Sequence, residues 1–210
     1  MRSQDQKLEN VLADPWLARP VPRWSFSILF VLVALFALKP LIVNRLVSRA
    51  EVYASYGFYN NAARECKKAI LFDHTNERAW NTLGSSYGNQ DDLDNAVNAY
   101  ISAINANPSN KIAHFKLATI FAVDKNYNMA VPHFEYIRSL GAESPATLAS
   151  NPFSYYRASL KMLSLCYERT GKPNKQQNAL AELARTCPDD KREKSEIRIL
   201  KQNSEPKTNP

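Results

Sequence analysis

One feature constrains this 210-residue chain more than any other: residue types recur along it every 34 positions. Ala62, Ala96 and Ala130 keep that spacing, as do Tyr53, Tyr87 and Phe121, the small residues Ala50, Gly84 and Ala118, and the trio Tyr59, Leu93 and Tyr127. A fixed period between about 20 and 50 residues signals units that cannot bury an apolar face alone and bury it against the next unit. The fullest unit, Glu77 to Asn110, carries Trp80, Leu83, Gly84, Tyr87, Ala96, Tyr100, Ala103 and Pro108. Gly84 and Ala96 are small enough to allow close backbone approach, the aromatics can fill gaps between units, and Pro108 suits a helix end.

Neighbouring copies are weaker but in phase. Residues 43–76 keep Ala50, Tyr53, Gly57, Tyr59, Ala62, Ala69 and Asp73, with Leu46 in place of the tryptophan, Arg49 in place of the leucine and His74 in place of the proline. Residues 111–144 keep Leu117, Ala118, Phe121, Tyr127, Ala130 and Phe134, with His114 at the tryptophan position and Ile137 at the last alanine. A twelve-residue insertion, 145–156, separates these from a fourth copy at 157–190, which keeps Leu163, Tyr167, Gly171 and Pro188 but has Gln176 where an alanine is expected.

The order Trp-x2-Leu-Gly-x2-Tyr, then Ala, Tyr, Ala and Pro, in residues 77–110 resembles the tetratricopeptide repeat, and the resemblance covers about 136 of the 210 residues. It implies an all-α chain containing an α-solenoid of three to four antiparallel helix pairs, with landmark aromatics serving as core. It also implies that the first helices line a groove holding extended peptides or partner helices. Non-landmark residues of those helices become the groove candidates: Asn81, Thr82, Ser85 and Asn89; Ile112, Phe115, Lys116 and Thr119; Lys161, Leu165 and Arg169. Amides, an apolar anchor near Phe115 and scattered cations suit a peptide held partly through its backbone. Family members that bind chaperone tails use a Lys and Asn clamp. Here Val47, Glu51 and Thr82 stand in that region, with Lys116 the one matching cation, so this clamp is not expected.

The insertion reads PATLASNPFSYY, with Phe153, Tyr155 and Tyr156 together. It suits a partner surface or an element folding into the groove, and equally a loop whose aromatics pack on the third copy.

A second length scale lies upstream. Ile28 to Leu38 has no polar side chain, and the window 24–43, at 1.5 Å per helical residue, is about as long as a bilayer's apolar core is thick. Trp24, Arg19 and Arg23 before it and Arg45 and Arg49 after it suit interfacial anchoring, and Lys39 can extend its ammonium to headgroups. The expectation is a single transmembrane helix. The competing readings are a cleaved signal peptide, disfavoured by Leu35 where a small residue is wanted before Ala37, and a buried core helix. Positive charges flank both ends, so orientation rests on the short N-terminal tail, which slightly favours the repeats on the non-cytoplasmic side. Because Val43 ends this segment and begins the first copy, the repeats are expected close to the bilayer. Within residues 1–23, Ser3 and Gln6 resemble a helix start and Leu8, Val11 and Leu12 share a face, which suits a short amphipathic helix.

Composition narrows function further. The net charge of +7 divides as +2 for residues 1–42 (five bases, three acids), +2 for 43–190 (sixteen, fourteen) and +3 for 191–210 (six, three). The repeats are nearly neutral, and no nucleic-acid partner is expected. Cys66, Cys166 and Cys187 make no paired motif, and His74, His114 and His133 have no metal-ligand spacing, so neither metal nor cofactor is expected. Asp91, Asp92 and Asp94 suit helix capping. With five glycines and no nucleophile or phosphate-loop motif, no enzyme is expected. The polar tail, 191–210, suits a capping extension followed by disorder. The sequence therefore points to a single-pass membrane scaffold that assembles a larger complex through protein partners. The alternatives are a soluble or secreted peptide-binding adaptor, and an accessory subunit in which Lys39 pairs inside the membrane.

Overall fold

The structure, a computed structural model, describes residues 23–144 and 153–186 and, near the C-terminus, residues 195, 198 and 199. The amphipathic segment near the N-terminus, residues 145–152 of the insertion, Cys187 and most of the tail lie outside the described residues. The chain divides into two compact units, one ending at Ile42 and one beginning at Val43.

Eight helices are described: α1 (Arg23–Ser55), α2 (Tyr59–Phe72), α3 (Glu77–Gly88), α4 (Leu93–Ala106), α5 (Lys111–Val123), α6 (Tyr127–Ser139), α7 (Tyr155–Arg169) and α8 (Pro173–Thr186). Among the described residues no helix is long and apolar enough to cross a membrane. The side chains of residues 23–36, which hold Trp24 and most of the apolar run, lie outside the described residues; Lys39 is exposed on α1, which continues through Pro40.

From Val43 onward the second unit is an all-α solenoid of helix pairs: α3 packs on α4, α5 on α6 and α7 on α8, while α2–α3, α4–α5 and α6–α7 join successive pairs. The spacing is visible in the backbone. Gly57, Asp91, Lys125 and Gly171 all have left-handed φ, between 59° and 80°. Each ends the first helix of a pair, 34 residues apart until the insertion adds twelve. Glycine is the residue that adopts this conformation without strain, and Asp91 and Lys125 hold it because the turn must close in every pair.

Helix starts follow from polar caps. Asn76, Asp92, Asn110 and Ser154 each accept a backbone N–H three residues on, from Ala79, Asn95, Ala113 and Arg157 respectively. Of the acidic cluster, Asp92 caps and Asp91 makes the turn. Ser154 starts α7 two residues ahead of the repeat phase, so Tyr155 and Tyr156 are helical and not part of a loop.

Each buried cluster joins residues of two successive copies, as a one-dimensional stack requires. Ala50, Ala63, Cys66, Leu83 and Ala99 join the first two copies, and Ala96, Tyr100, Ala103, Ala113 and Leu117 join the second and third. The largest cluster joins the third and fourth around Phe134, Leu160, Leu163, Tyr167 and Leu183. Both helices of the fourth pair, α7 and α8, contribute to it, with Gln176 buried where its alanine is missing. At Gly84 an added Cβ would stand 2.8 Å from the Tyr100 ring, which fixes glycine at the crossing of α3 and α4.

Candidate partner-binding faces

The groove candidates sit on three first helices, α3, α5 and α7, and their surroundings divide them. On α3, Ser85 Oγ lies 3.0 Å from the Tyr100 hydroxyl, and Asn81 Nδ2 donates to Asn110 Oδ1 at 3.3 Å, leaving the buried Asn81 Oδ1 without a partner among the described residues. Thr82 is half-buried, and Asn89 ends the helix, donating back to the Ser85 carbonyl at 2.7 Å. On α5, Ile112 and Lys116 are exposed, whereas Thr119 donates to the Phe115 carbonyl at 2.7 Å. On α7, Lys161 and Leu165 are half-buried and Arg169 is exposed in the last turn.

Phe115 is brought into an aromatic cluster. Its ring meets Phe134, Phe153 and Tyr155 edge-on, with centroids 5.6 to 5.8 Å apart, and Phe153 meets Tyr155 at 4.8 Å. The apolar anchor anticipated at Phe115 is therefore covered by the chain's own residues, and the side chain left facing outward is Phe153, about half exposed. Aromatic pairs in this edge-on geometry are worth about 0.5–1.5 kcal/mol beyond their burial, so the cover is held in place. Tyr156 turns the other way, into the core, and its hydroxyl donates to Glu182.

Two polar networks hold this region. Glu143 spans the mouth of the insertion: Ser154 Oγ donates to it at 2.7 Å, the Tyr156 N–H at 3.1 Å, and Lys111 Nζ lies 3.7 Å away. Burial alone would raise its pKa, but these donors and the cation hold it below the ordinary carboxylate value. Between third and fourth copies, Arg138 bridges Glu135 and Glu182, which accept from the Tyr167 and Tyr156 hydroxyls. Burial and then the Glu182 hydrogen bond push the Tyr156 phenol up to about 12, so it stays a donor at any ordinary pH.

One pairing was invisible from spacing. Trp80 Nε1–H donates to the His74 carbonyl at 2.8 Å, and His114, at the same repeat position, uses Nε2–H for the Pro108 carbonyl at 3.1 Å. The histidine thus keeps the tryptophan's bond across the preceding turn. Its Nδ1 then accepts, and His133 Nδ1–H donates at 2.9 Å, with Phe121 stacked on His133 and Tyr136 against His114. The signal for this pair was positional: a polar ring at a landmark aromatic site needs a partner.

Burial lowers the pKa of both rings, and each further proton opposes the other. Folded-state values below the unfolded one mean that the neutral pair stabilises the fold above about pH 6.5. That contribution is lost as pH falls through the unfolded value towards the folded ones. Urea unfolding of the full chain at pH 7.5 and 5.5 is expected to show this loss, up to about 1.4 kcal/mol per pH unit for each proton taken up. His133→Phe should remove at least half of it; an unchanged pH dependence would exclude the pair as its source. The carboxylates act lower, below about pH 4.5, because their folded values are depressed.

With this geometry in view, the comparisons agree on the fold. Residues 77–110 match the tetratricopeptide repeat. No curated protein matches the sequence. The crystal structure of MamA superposes with a TM-score of 0.55 at 21% identity, over 81% of each chain. PilF of Pseudomonas aeruginosa gives 0.63 at 13% identity, over 79% of this chain and 70% of that one. The type III secretion chaperone SycD of Yersinia enterocolitica, solved with a peptide of the translocator YopD, gives 0.53 at 17% identity, over 60% and 93%. The similarity is to a shared all-α solenoid architecture.

Proposed function

We propose that the chain is a non-catalytic, membrane-anchored scaffold whose repeats hold a protein or peptide partner within a larger membrane-associated assembly. The observation that carries this reading is the exposure of Ile112 and Lys116 on α5 and of Phe153 just ahead of α7. Exposed apolar side chains beside a cation suit recognition of a protein or peptide. SycD, a neighbour in fold, is a chaperone solved with a bound peptide, which supports peptide holding on this architecture. The anchor is the segment 24–43, with Trp24 and Lys39 at its interfaces, a lipid bilayer around it and the repeats on the non-cytoplasmic side.

Two measurements separate the parts. Alkaline carbonate extraction of membranes is expected to leave the full chain in the pellet; release into the supernatant would move the reading to a soluble peptide-binding adaptor. Partners co-purified in mild detergent and identified by mass spectrometry should be recovered at least tenfold less by the double variant Ile112→Asp with Phe153→Ala. Equal recovery, with helix content unchanged, would refute this face as the docking site.

A further inference from the structure

A pocket of about 520 Å³ opens on the other helices of the stack, with walls from α2 and α4 and a floor from α3. Its origin is a difference between consecutive copies. Ala99 and Ser102 occupy the positions that His133 and Tyr136 occupy 34 residues later. In the third copy those two rings lie 5.1 and 4.5 Å from His114, which stands at the Trp80 position. In the second copy the side chains are small, and Trp80, Leu83 and Tyr87 remain facing the pocket.

The rim has a definite chemistry. Leu71 is 86% exposed at one wall, an uncommon position for a leucine in a folded stack. Lys67 holds its ammonium 5.4 Å from the Tyr87 ring and has no carboxylate partner among the described residues. Arg64 and Lys68 stand on the same helix, and the one acid there, Glu65, is buried and already paired with Lys68 and Arg49. Across the pocket, Asn95 and Asn98 supply amides.

We infer that this pocket is a second docking site, separate from the first-helix groove, for an amphipathic helix of a protein partner that inserts apolar side chains against Trp80 and Leu71 and sets a carboxylate on Lys67. An apolar slot between two helices, with no strand among the described residues to extend, takes a helix through side chains one turn apart. The unmatched cation over an aromatic face selects an acidic residue at its end. The inference does not depend on the groove reading, since the two faces share no residue.

The test uses the full chain in mild detergent and three synthetic 16-residue helical peptides. One carries Leu and Phe at i and i+4 with Glu at i+7, the second has Lys for that Glu, and the third is the first in scrambled order. The acidic peptide is expected to bind and to shift the Trp80 indole N–H resonance. Lys67→Glu should weaken it at least tenfold and favour the Lys peptide, a reversal that general destabilisation cannot produce. Ser102→Tyr, which introduces the residue the third copy already carries, should weaken binding comparably without loss of helix content. Equal binding of the scrambled peptide, no effect of either substitution, or perturbation confined to Phe115 and Phe153 would each overturn the proposal.

Discussion

Replacing Phe134 by alanine is expected to lower the unfolding free energy by about 3–5 kcal/mol, the range for truncating a fully buried aromatic. Phe134 has no solvent exposure and lies in the cluster that joins third and fourth copies, with Phe115 edge-on at 5.8 Å. The void would adjoin Leu160, Leu163 and Tyr167 on α7, a helix packed against both α6 and α8, so collapse can recover little of the lost contact. In a stack whose units touch neighbours only, the damage should stay local. Hydrogen exchange read by mass spectrometry should show α7 and α8 losing protection strongly while α3 and α4 keep theirs. A uniform loss along the chain would contradict the nearest-neighbour picture, and a cost below about 1 kcal/mol would contradict the burial of Phe134.

The second large effect turns on the sign of a small substitution. Gly→Ala inside a helix ordinarily gains up to about 1 kcal/mol, because alanine loses less backbone freedom on folding. At Gly84 the gain is expected to reverse. The new Cβ would lie 2.8 to 3.0 Å from three atoms of the Tyr100 ring, which is 3% exposed and bonded through its hydroxyl to Ser85. Neither α4 nor the ring can retreat without opening the contact to α5, so Gly84→Ala should cost about 1–3 kcal/mol and Gly84→Val more. Gly88, one turn later on the same helix, provides the contrast: its added Cβ would meet Ala96 at 3.9 Å, an ordinary contact. Gly88→Ala should leave thermal stability equal or raised. Parallel melting of the two alanine variants checks both, and equal shifts would show that α3 and α4 cross differently.

These two glycines show how much was legible in the sequence. Gly84 is a repeat landmark and Gly88 is not, so the pattern alone separated the position that must be small from the one that need not be. The same holds for Ala62, Ala96 and Ala130, all fully buried. The insertion was legible only in part. Its interruption of the phase is plain in the sequence, but the cover of Phe115 by Phe153 and Tyr155 depends on where Ser154 and Glu143 fix the first turn of α7. Tyr155 and Tyr156 are adjacent and chemically alike, yet one helical step of about 100° sends one to the aromatic cluster and the other to Glu182.

The sequence by itself pointed to the architecture, because a 34-residue period whose landmarks resemble the tetratricopeptide repeat implies stacked helix pairs. It also determined where those pairs turn and which positions form their core. Tertiary structure alone decided which non-landmark side chains face outward, as with Ile112, or are spent inside, as with Tyr156. It alone decided that His114 and His133 hydrogen-bond each other and that Trp80 lines a pocket beside Ala99 and Ser102. The physical reason is that landmarks report contacts repeated in every copy, whereas these features come from single side chains meeting across copies. Such meetings depend on helix rotation and ring volume, which no period in the sequence records.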